Sequence, residues 1–556
     1  MKAHEMYKQW LENPYFDEAF RNELKAIEDN PVEIEERFYK DLEFGTAGMR
    51  GIIGAGRNRI NPYVVRKATQ GFANFLIERD EQTLKGEFER SVVIAYDSRR
   101  MSEEFAMETA IVMAANGIKA YVFESVRTTP ELSFAVRYLG AIGGVVITAS
   151  HNPPEYNGYK VYDETGCQLV PHLADALVDH VLGVETFEQV KVMEKRDALE
   201  AGLLSIIGEI VDNPYVEMVK EVSPRPELLN ASELKVVYTP LHGTGGPIIS
   251  RVLKELAFSG LITVTEQMEP DGEFPTCKNP NPENKEAFEV ALTYAEKYDA
   301  DLVIATDPDC DRIGLLVKEA GGYKILNGNQ IGSLFMEYIL SSRDDLTKDH
   351  YVVNTVVSSD LARAQAAHFG VTLRQTLTGF KFIGEQIESD PDHFVMGYEE
   401  SFGYLFAPHV RDKDAVMGAL IAIEMAEYYK RKGLSLSEVL DSIFKRHGFF
   451  IEETIAKSFE GKDGQTVMAN IMETFRKDSA SLLTYDRKID YLHDETGLPK
   501  ADVLKFYLDE NSWMVLRPSG TEPKLKVYFS ISGENEKATL EKLENYKKTI
   551  VEKVLA

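Results

Sequence analysis

Three aspartates stand at alternate positions in the run DLVIATDPDCDRIGLLV, where a turn joins two apolar strand patterns. They are Asp307, Asp309 and Asp311. Carboxylates held this close repel one another unless a cation lies among them, so the spacing predicts a divalent metal site. An EF-hand loop is excluded because its sixth and twelfth positions, normally Gly and Glu, are Arg312 and Lys318. A phosphatase nucleophile at Asp307 stays an open alternative.

A second cluster, TASHNPPEYNGYK, directly follows the apolar strand pattern GGVVI and contains Ser150, His151 and Lys160. Ligands of open α/β sheets bind at the carboxyl ends of strands, which makes Ser150 and His151 candidate catalytic residues. The flanking residues Thr148 and Asn152 do not match the GxSxG nucleophile elbow, so a hydrolase triad is disfavoured. An ordinary turn serine and a structural histidine stay open as alternatives.

The run RPSGTEPK near the C-terminus has the composition of a phosphate-binding loop. A guanidinium group offers a two-pronged contact, hydroxyls donate hydrogen bonds, and glycine lets backbone amides approach an anion. A generic Pro-Ser-Gly turn is the alternative. The candidate phosphate ligands are Arg517, Ser519, Gly520, Thr521 and Lys524.

Two weaker motifs fit the same chemistry. GYEESFGY places Glu399 and Ser401 where a carboxylate could accept two sugar hydroxyls, although a solvated acidic turn is an equal alternative, and FGTAGMRG exposes Arg50. The nucleotide signatures fail, because GFKFIGEQ has Glu385 where a Walker A loop needs Lys and LHGTGGPI has Ile248 in place of the third Rossmann glycine. ATP and NAD are therefore not supported.

The elements that must position these motifs form an alternating pattern. Between residues 91 and 147, short β-branched runs alternate with helical patterns, which is typical of βαβ units and a mainly parallel sheet. The pattern begins again near residue 234 and near residue 351. From about residue 445 the character changes to strands followed by a charged helix, which predicts a smaller α+β domain. The predicted domains are 1–203, 204–322, 323–444 and 445–556.

The first forty residues are polar, acidic and helical in pattern. Tyr7, Trp10 and Leu11 have the i, i+3, i+4 spacing of one buried stripe, so we predict an N-terminal helical cap.

Composition limits the partners. The 62 Lys and Arg residues against 90 Asp and Glu give a net charge of −28, which opposes binding to nucleic acid or to an anionic membrane surface. No apolar run approaches the roughly 18 residues of a membrane span. The three widely spaced cysteines form no disulfide framework, and the N-terminus lacks the apolar core of a secretory signal. These features predict a soluble, cytoplasmic protein with small-molecule ligands.

With these motifs in order, the chain resembles the α-D-phosphohexomutase family over nearly its whole length. The likeness is closest to the bacterial type in the phosphoglucomutase and phosphopentomutase branch. It implies four domains around a central cleft, of which three are related α/β domains and the last is a C-terminal α+β domain. The metal loop reads Asp-Pro-Asp where many members have Asp-Gly-Asp, and this favours the glucose and pentose branch over the mannose branch.

The resemblance also implies roles for individual residues. Ser150 would be the phosphoserine, and the three aspartates would bind Mg²⁺ together with an oxygen of its phosphate. Arg50, His151 and Lys160 match positions for acid/base catalysis and charge stabilisation. The implied substrate ligands are Arg312, Thr378, Gly379, Lys381, Glu399, Ser401, His409 and Lys413. For His409, a general base and a structural role stay open.

The reaction implied by the resemblance is the interconversion of glucose 1-phosphate and glucose 6-phosphate, with glucose 1,6-bisphosphate as intermediate and primer. A monomer or a weak homo-oligomer would carry it out. Phosphopentomutase and phosphomannomutase activities are alternatives within the same chemistry. Alternatives of a different class are a Mg²⁺-dependent sugar phosphatase and a non-catalytic binder of sugar phosphates.

Overall fold

The computed structural model describes residues 3–45, 48–459, 464–518 and 524–554. The chain divides into two compact units. Unit 1 contains the chain up to Ile325 together with Ile383–Asp392 and Gly403–Tyr428, and unit 2 contains Leu326–Phe382, His393–Phe402 and the chain from Tyr429 onward. Among the described residues, no helix is both long enough and apolar enough to cross a membrane.

The N-terminal segment is three short helices, α1 (Ala3–Glu12), α2 (Glu18–Lys25) and α3 (Pro31–Phe38). Prolines at positions 14 and 31 interrupt the pattern, because the residue before a proline is disfavoured in a helix. The helices enclose an aromatic cluster in which the Trp10 and Phe16 ring centroids lie 4.8 Å apart. Tyr7 and Trp10 are buried as predicted, whereas Leu11 is only partly buried.

The first sheet of unit 1 has six strands in the order β1-β5-β4-β2-β3-β6. The strands β4, β2, β3 and β6 run parallel to one another, while β5 is antiparallel to both β4 and β1. The strands are β1 (Met49–Ile52), β2 (Glu89–Tyr96), β3 (Lys119–Phe123), β4 (Ala141–Ile147), β5 (Tyr156–Asp163) and β6 (Leu204–Ile207). The sheet thus continues past the predicted domain boundary at residue 203.

Six helices accompany this sheet: α4 (Pro62–Arg79), α5 (Ser102–Ala115), α6 (Thr129–Tyr138), α7 (Pro171–Leu182), α8 (Lys195–Glu200) and α9 (Glu209–Glu221). A π-helical turn at Asp80–Leu84 follows α4, and a 3₁₀ turn lies at Phe187–Gln189. Helix α6 begins with a capping box in which Thr128 and Glu131 satisfy each other's backbone amides. Strand β4 is buried along its entire length, so the chain leaves the core directly into the segment of Ser150.

The second sheet has the order β11-β10-β9-β7-β8. Its strands are β7 (Val236–Thr239), β8 (Leu261–Thr263), β9 (Leu302–Thr306), β10 (Ile313–Glu319) and β11 (Gly322–Ile325), and its helices are α10 (Glu227–Asn230), α11 (Gly245–Glu255), α12 (Thr265–Met268) and α13 (Glu289–Tyr298). A 3₁₀ turn at Lys285–Phe288 precedes α13. Strands β9 and β10 are antiparallel neighbours, so the aspartate run is the turn between them. Strand β11 extends past the predicted boundary at residue 322.

The third α/β segment contains β12 (Tyr351–Thr355), β13 (Thr372–Thr376), β14 (Phe394–Glu399) and β15 (Gly403–Leu405). In unit 2, β12 pairs in parallel with β13 on one side and β14 on the other. The helices are α14 (Gly328–Ser341), α15 (Leu361–Phe369), α16 (Phe380–Ser389), α17 (Ala415–Arg431) and α18 (Leu436–His447), with a 3₁₀ turn at Pro391–His393.

The C-terminal part of unit 2 is an antiparallel sheet in the order β16-β20-β19-β18-β17. Its strands are β16 (Phe449–Ser458), β17 (Arg487–Asp490), β18 (Leu504–Tyr507), β19 (Trp513–Pro518) and β20 (Lys524–Gly533), and its helices are α19 (Gly464–Leu482) and α20 (Glu536–Val554). The prediction of three α/β segments followed by an α+β segment is therefore confirmed.

Candidate active site

The aspartate loop between β9 and β10 places three carboxylates together. Asp307, Asp309 and Asp311 are buried, and each offers an oxygen within 4.8 Å of the others. The loop closes tightly, with Cys310 in the left-handed region at φ 55° and its amide donating to the Asp307 carbonyl over 2.9 Å. The Asp307 Oδ1 atom accepts the backbone amides of Asp311 and Arg312 over 3.1 and 3.0 Å, which fixes its orientation.

The charge arrangement of this loop fits a divalent cation. The Oδ1 atoms of Asp309 and Asp311 are buried and have no hydrogen-bond partner among the described residues. Burial and the neighbouring carboxylates raise the pKa of Asp307 well above its ordinary value. Magnesium prefers hard oxygen ligands, so a bound Mg²⁺ would use these oxygens and relieve the repulsion.

Ser150 reaches the same loop from the first sheet. Its backbone lies in the left-handed region at φ 51°, and its amide donates to the Thr148 Oγ1 atom over 2.8 Å. The Ser150 hydroxyl donates to the Asp307 Oδ2 atom over 2.9 Å, and His151 Nδ1 lies 3.2 Å from the same hydroxyl. Burial and nearby guanidinium groups, that of Arg312 first, hold the pKa of His151 well below its ordinary value, so the imidazole beside Ser150 is neutral.

Two lysines lie against the aspartates. Lys160 on β5 places its Nζ atom 2.7 Å from Asp309 Oδ2 and 3.6 Å from Asp311 Oδ2. Lys413 Nζ lies 3.1 Å from Asp311 Oδ2 and 2.8 Å from Asp412 Oδ1. Burial alone would lower the pKa of Lys160, but the carboxylates of Asp309 and Asp311 outweigh it and raise that pKa. Lys413, for which the sequence predicts a substrate contact, pairs here with the aspartate loop.

The other predicted residues of unit 1, Arg50, Arg312 and His409, do not all contact the aspartate loop. Arg50 on β1 is exposed, and its Nη1 atom donates to Asn152 Oδ1 over 2.8 Å, within the segment that carries Ser150. The Arg312 guanidinium forms an ion pair with Glu283. His409 is exposed, and in the described part of the chain no hydrogen bond or ion pair joins it to the aspartate loop.

Thr129, at the first turn of α6, is a contact that sequence reasoning missed. Its hydroxyl donates to Asp309 Oδ2 over 2.9 Å, and its amide donates to the Asp309 carbonyl over 2.9 Å. The start signal of α6, with Thr128 as cap and Pro130 in the first turn, is readable in the sequence. The contact between Thr129 and Asp309 cannot be predicted from the sequence, because 180 residues separate them.

Replacing Thr129 with valine should weaken Mg²⁺ binding. The change keeps the shape of the side chain and removes the hydroxyl that orients Asp309, and groups behind metal ligands contribute about 10- to 100-fold to affinity. Calorimetric titration of the purified variant with Mg²⁺ measures the change. Thr109→Val is the matched control, since Thr109 is equally buried and its hydroxyl donates to the Phe105 carbonyl of its own helix, away from the aspartate loop. Equal affinities in the two variants would contradict the assigned role.

In unit 2, the structure brings two predicted sugar ligands together. Glu399, at the end of β14, is buried, and its Oε1 atom accepts the Gly379 amide over 2.7 Å. Gly379 has φ 123°, a conformation that side-chain-bearing residues rarely adopt. Thr378 and Lys381 flank this glycine and are half-buried, and Ser401 lies in the turn after β14.

The predicted phosphate loop is described only at its edges. Arg517 on β19 is half-buried, and its Nη1 atom donates to the Tyr528 hydroxyl over 3.2 Å. Lys524 opens β20 and pairs in register with Ser458. The predicted ligands Ser519, Gly520 and Thr521 lie outside the described residues, so the assignment of this loop stays a prediction.

Four family models match successive parts of the chain. They are the phosphoglucomutase/phosphomannomutase alpha/beta/alpha domains I (residues 41–186), II (213–322) and III (327–447), and the C-terminal domain of the same family (486–551). Together they cover most of the 556 residues.

Two staphylococcal relatives align with almost the whole chain. A phosphoglucomutase of Staphylococcus saprophyticus is 37% identical over 550 residues, which covers 95% of this chain and 96% of the relative. A phosphoglucomutase of Staphylococcus epidermidis is 37% identical over 541 residues, with 94% and 97% covered.

Solved structures share the fold at lower identity. The Paramecium phosphoprotein pp63/parafusin, a phosphoglucomutase in its open form, superposes with a TM-score of 0.73 at 18% identity, covering 92% of this chain and 95% of that one. A putative phosphomannomutase of Thermus thermophilus gives 0.68 at 21% identity, covering 92% and 99%.

Proposed function

Because the chain belongs to the phosphoglucomutase/phosphomannomutase family, we propose that it is a phosphoglucomutase with Ser150 as the phosphorylated nucleophile. It interconverts glucose 1-phosphate and glucose 6-phosphate through glucose 1,6-bisphosphate, which also primes the enzyme. The similar staphylococcal proteins support glucose as the sugar. The observation that carries the proposal is the 2.9 Å hydrogen bond from the Ser150 hydroxyl to Asp307 within a buried cluster of three carboxylates.

The proposed reaction is two phosphoryl transfers in opposite directions. In the first, a sugar hydroxyl oxygen attacks the phosphorus of phosphorylated Ser150, the bond to Ser150 Oγ breaks, the hydroxyl proton passes to a base, and Ser150 Oγ takes up a proton. This yields the sugar bisphosphate and free serine. After the bisphosphate has turned end over end, Ser150 Oγ gives its proton to a base and attacks the other phosphorus. The bond from that phosphorus to the sugar oxygen breaks, the sugar oxygen takes up a proton, and the isomerised monophosphate leaves.

The charges around Ser150 suit this transfer. When Mg²⁺ is bound by Asp307, Asp309 and Asp311, it would neutralise negative charge on the phosphoryl group. Arg50 projects from β1 and bonds to Asn152, so its guanidinium lies beside the Ser150 segment and can stabilise negative charge on the transferring group. We assign Lys160, on β5 with its Nζ atom 2.7 Å from Asp309 Oδ2, to acid/base catalysis. Because the neighbouring carboxylates raise its pKa and keep it protonated, it is the group that returns a proton to the departing oxygen.

The remaining predicted residues bind the substrate. Glu399, whose Oε1 atom accepts the Gly379 amide, is assigned to the sugar hydroxyls, with Ser401 as its expected partner. Arg517, with Ser519, Gly520, Thr521 and Lys524, is assigned to the phosphate that is not being transferred. Because a bisphosphate carries one phosphate at each end, a fixed second phosphate site accepts the sugar in both orientations.

The test is isomerisation by the purified protein with Mg²⁺ and a catalytic amount of glucose 1,6-bisphosphate. The values of kcat/KM for glucose 1-phosphate, mannose 1-phosphate and ribose 1-phosphate are measured in parallel. We expect glucose 1-phosphate to exceed the others by about tenfold or more, which is a difference of roughly 1.4 kcal/mol in transition-state binding. A higher value for ribose or mannose phosphate, or release of inorganic phosphate without isomerisation, would overturn the proposal.

Replacing Arg517 with alanine should raise KM while kcat changes little. The variant loses a charged contact to the distant phosphate, and hydrogen bonds to charged groups contribute roughly 1.5–3 kcal/mol, or about 10- to 100-fold in KM. Steady-state kinetics with glucose 1-phosphate measure the change. The exposed Arg487 on β17 provides the control variant Arg487→Ala. If Arg517→Ala kept a normal KM, the residue would have no part in phosphate binding.

A further inference from the structure

Arg99 is a buried arginine that lies just beyond the end of β2, in the run YDSRR. Its side chain is fully excluded from solvent. The guanidinium lies over the Phe274 ring, 5.0 Å from the centroid. Charged side chains are almost never fully buried unless they are paired, so the contacts of this group need an explanation.

Those contacts are four backbone carbonyls of one segment. The Arg99 Nη2 atom donates to the carbonyls of Ser150 and Asn152, each over 2.5 Å. The Nη1 atom donates to the carbonyls of Pro153 and Tyr156 over 2.8 and 3.1 Å. One side chain therefore satisfies most of the carbonyls between residues 150 and 156, which we call the serine loop.

The guanidinium is itself held by Asp97. The Asp97 Oδ2 atom lies 3.3 Å from Arg99 Nε, and Asp97 Oδ1 accepts the Arg99 amide over 2.9 Å and the Ser102 hydroxyl over 2.8 Å. The Asp97 amide in turn donates to the Ile147 carbonyl at the end of β4. The arginine is thus anchored to the rigid sheet rather than to the serine loop that it contacts.

The serine loop has little regular structure of its own. Its internal backbone hydrogen bonds include those from Asn152 to Ala149 and from Tyr156 to Pro153, both 3.1 Å. Ser150 also holds a left-handed backbone conformation, which is strained for a residue other than glycine. Such a conformation persists only when surrounding contacts determine it.

We infer that Arg99 is a positioning residue, which holds the serine loop so that Ser150 Oγ stays aligned on the aspartate loop through both phosphoryl transfers. The inference rests on the proposed function, because it takes Ser150 as the nucleophile. Arg99 acts through the backbone of residues 150–156. It acts from behind the loop, where the guanidinium is enclosed by carbonyls.

A lysine cannot replace this arginine. A guanidinium presents five donors in a flat, rigid fork, whereas an ammonium has three donors on a single atom. The two terminal nitrogens of Arg99 each donate to two carbonyls, and this arrangement requires the shape of a guanidinium. Arg99→Lys would therefore keep the charge but leave several of the carbonyls without a hydrogen-bond donor. A displacement of about 1 Å in a reacting group can lower the rate about 100-fold.

The test compares Arg99→Lys, Arg99→Ala and the control Arg100→Ala. Arg100 is the adjacent arginine, is half-exposed and forms an ion pair with Glu273. For each variant, intact mass after incubation with glucose 1,6-bisphosphate gives the phosphorylated fraction of Ser150, thermal unfolding gives the folded fraction, and kinetics give kcat per folded molecule and KM. Guanidinium chloride at millimolar concentration is then added to Arg99→Ala to test for rescue.

We expect kcat per folded molecule to fall about 100-fold in Arg99→Lys with KM changed less than about twofold, and Arg100→Ala to match the wild type. Partial recovery of Arg99→Ala by guanidinium would support the role further. A kcat per folded molecule in Arg99→Lys equal to that of the wild type would overturn the inference and leave the proposed function standing. A wild-type protein that isomerises the sugar phosphate without taking phosphate on Ser150 would instead overturn the assignment of the nucleophile.

Discussion

Replacing Ser150 with alanine is expected to abolish isomerisation, with kcat reduced by roughly 10⁴-fold or more. The variant has no oxygen to accept or release the phosphoryl group, and loss of a covalent nucleophile is among the largest single effects known in enzymes. Incubation with glucose 1,6-bisphosphate should add one phosphate to the wild-type mass and none to the variant.

Ser205→Ala is the control for this variant, because Ser205 is a half-buried serine on β6 in the same sheet. Its mass shift and kinetics should equal those of the wild type. Protein-bound phosphate that persisted in Ser150→Ala, together with full activity, would place the nucleophile elsewhere, and Asp307 would then be the first residue to examine.

Replacing Asp309 with asparagine is expected to lower kcat by about 10³-fold and the affinity for Mg²⁺ by at least tenfold. Asp309 loses its charge where Lys160 and Thr129 both donate to its Oδ2 atom. The single oxygen of the asparagine amide would accept the hydrogen bonds from both donors. The amide nitrogen would then replace the other carboxylate oxygen, and it cannot bind a metal ion. Activity titrated with Mg²⁺ after treatment with EDTA, and calorimetry with Mg²⁺, measure the two effects.

Asp299→Asn is the matched control for this change. Asp299 is exposed, pairs with Lys318 and has φ 53°, a left-handed conformation that asparagine tolerates. Its Mg²⁺ dependence should be that of the wild type. If the titration curve of Asp309→Asn coincided with that of this control, Asp309 would not bind the metal.

The sequence predicted the order of the elements well, because apolar runs and helix caps are local signals. The alternating pattern predicted between residues 91 and 147 is β2, α5, β3, α6 and β4 in the structure, and the apolar run before the three aspartates is β9. The last strand of a sheet cannot be predicted from local sequence, because it depends on pairing with a strand far away in the chain. Strand β6 begins just after the predicted boundary at residue 203, yet it completes the first sheet by pairing with β3.

For the site, the sequence identified residues whose chemical type and spacing indicate a function. It did not identify residues that act by holding another part of the site in place. The alternate aspartates and Ser150 stand out in the sequence, and in the structure a hydrogen bond joins Ser150 to Asp307, the first of them. Thr129 and Arg99 are common residue types, and neither belongs to one of the motifs described above. Their partners lie 180 and 51 residues away, so only the folded chain brings them into contact.

The three N-terminal helices have a consequence for how the chain can be shortened. The family similarity begins at residue 41, but Tyr63 of α4 packs against Phe16 and Phe20 in the aromatic cluster, and Arg37 donates to the Ala55 carbonyl just after β1. A fragment cut at the start of the similarity would expose a contiguous aromatic surface, which promotes aggregation. It would also loosen the strand that carries Arg50. We therefore expect a fragment that keeps α1, α2 and α3 to stay in solution, and a fragment cut at residue 41 to aggregate.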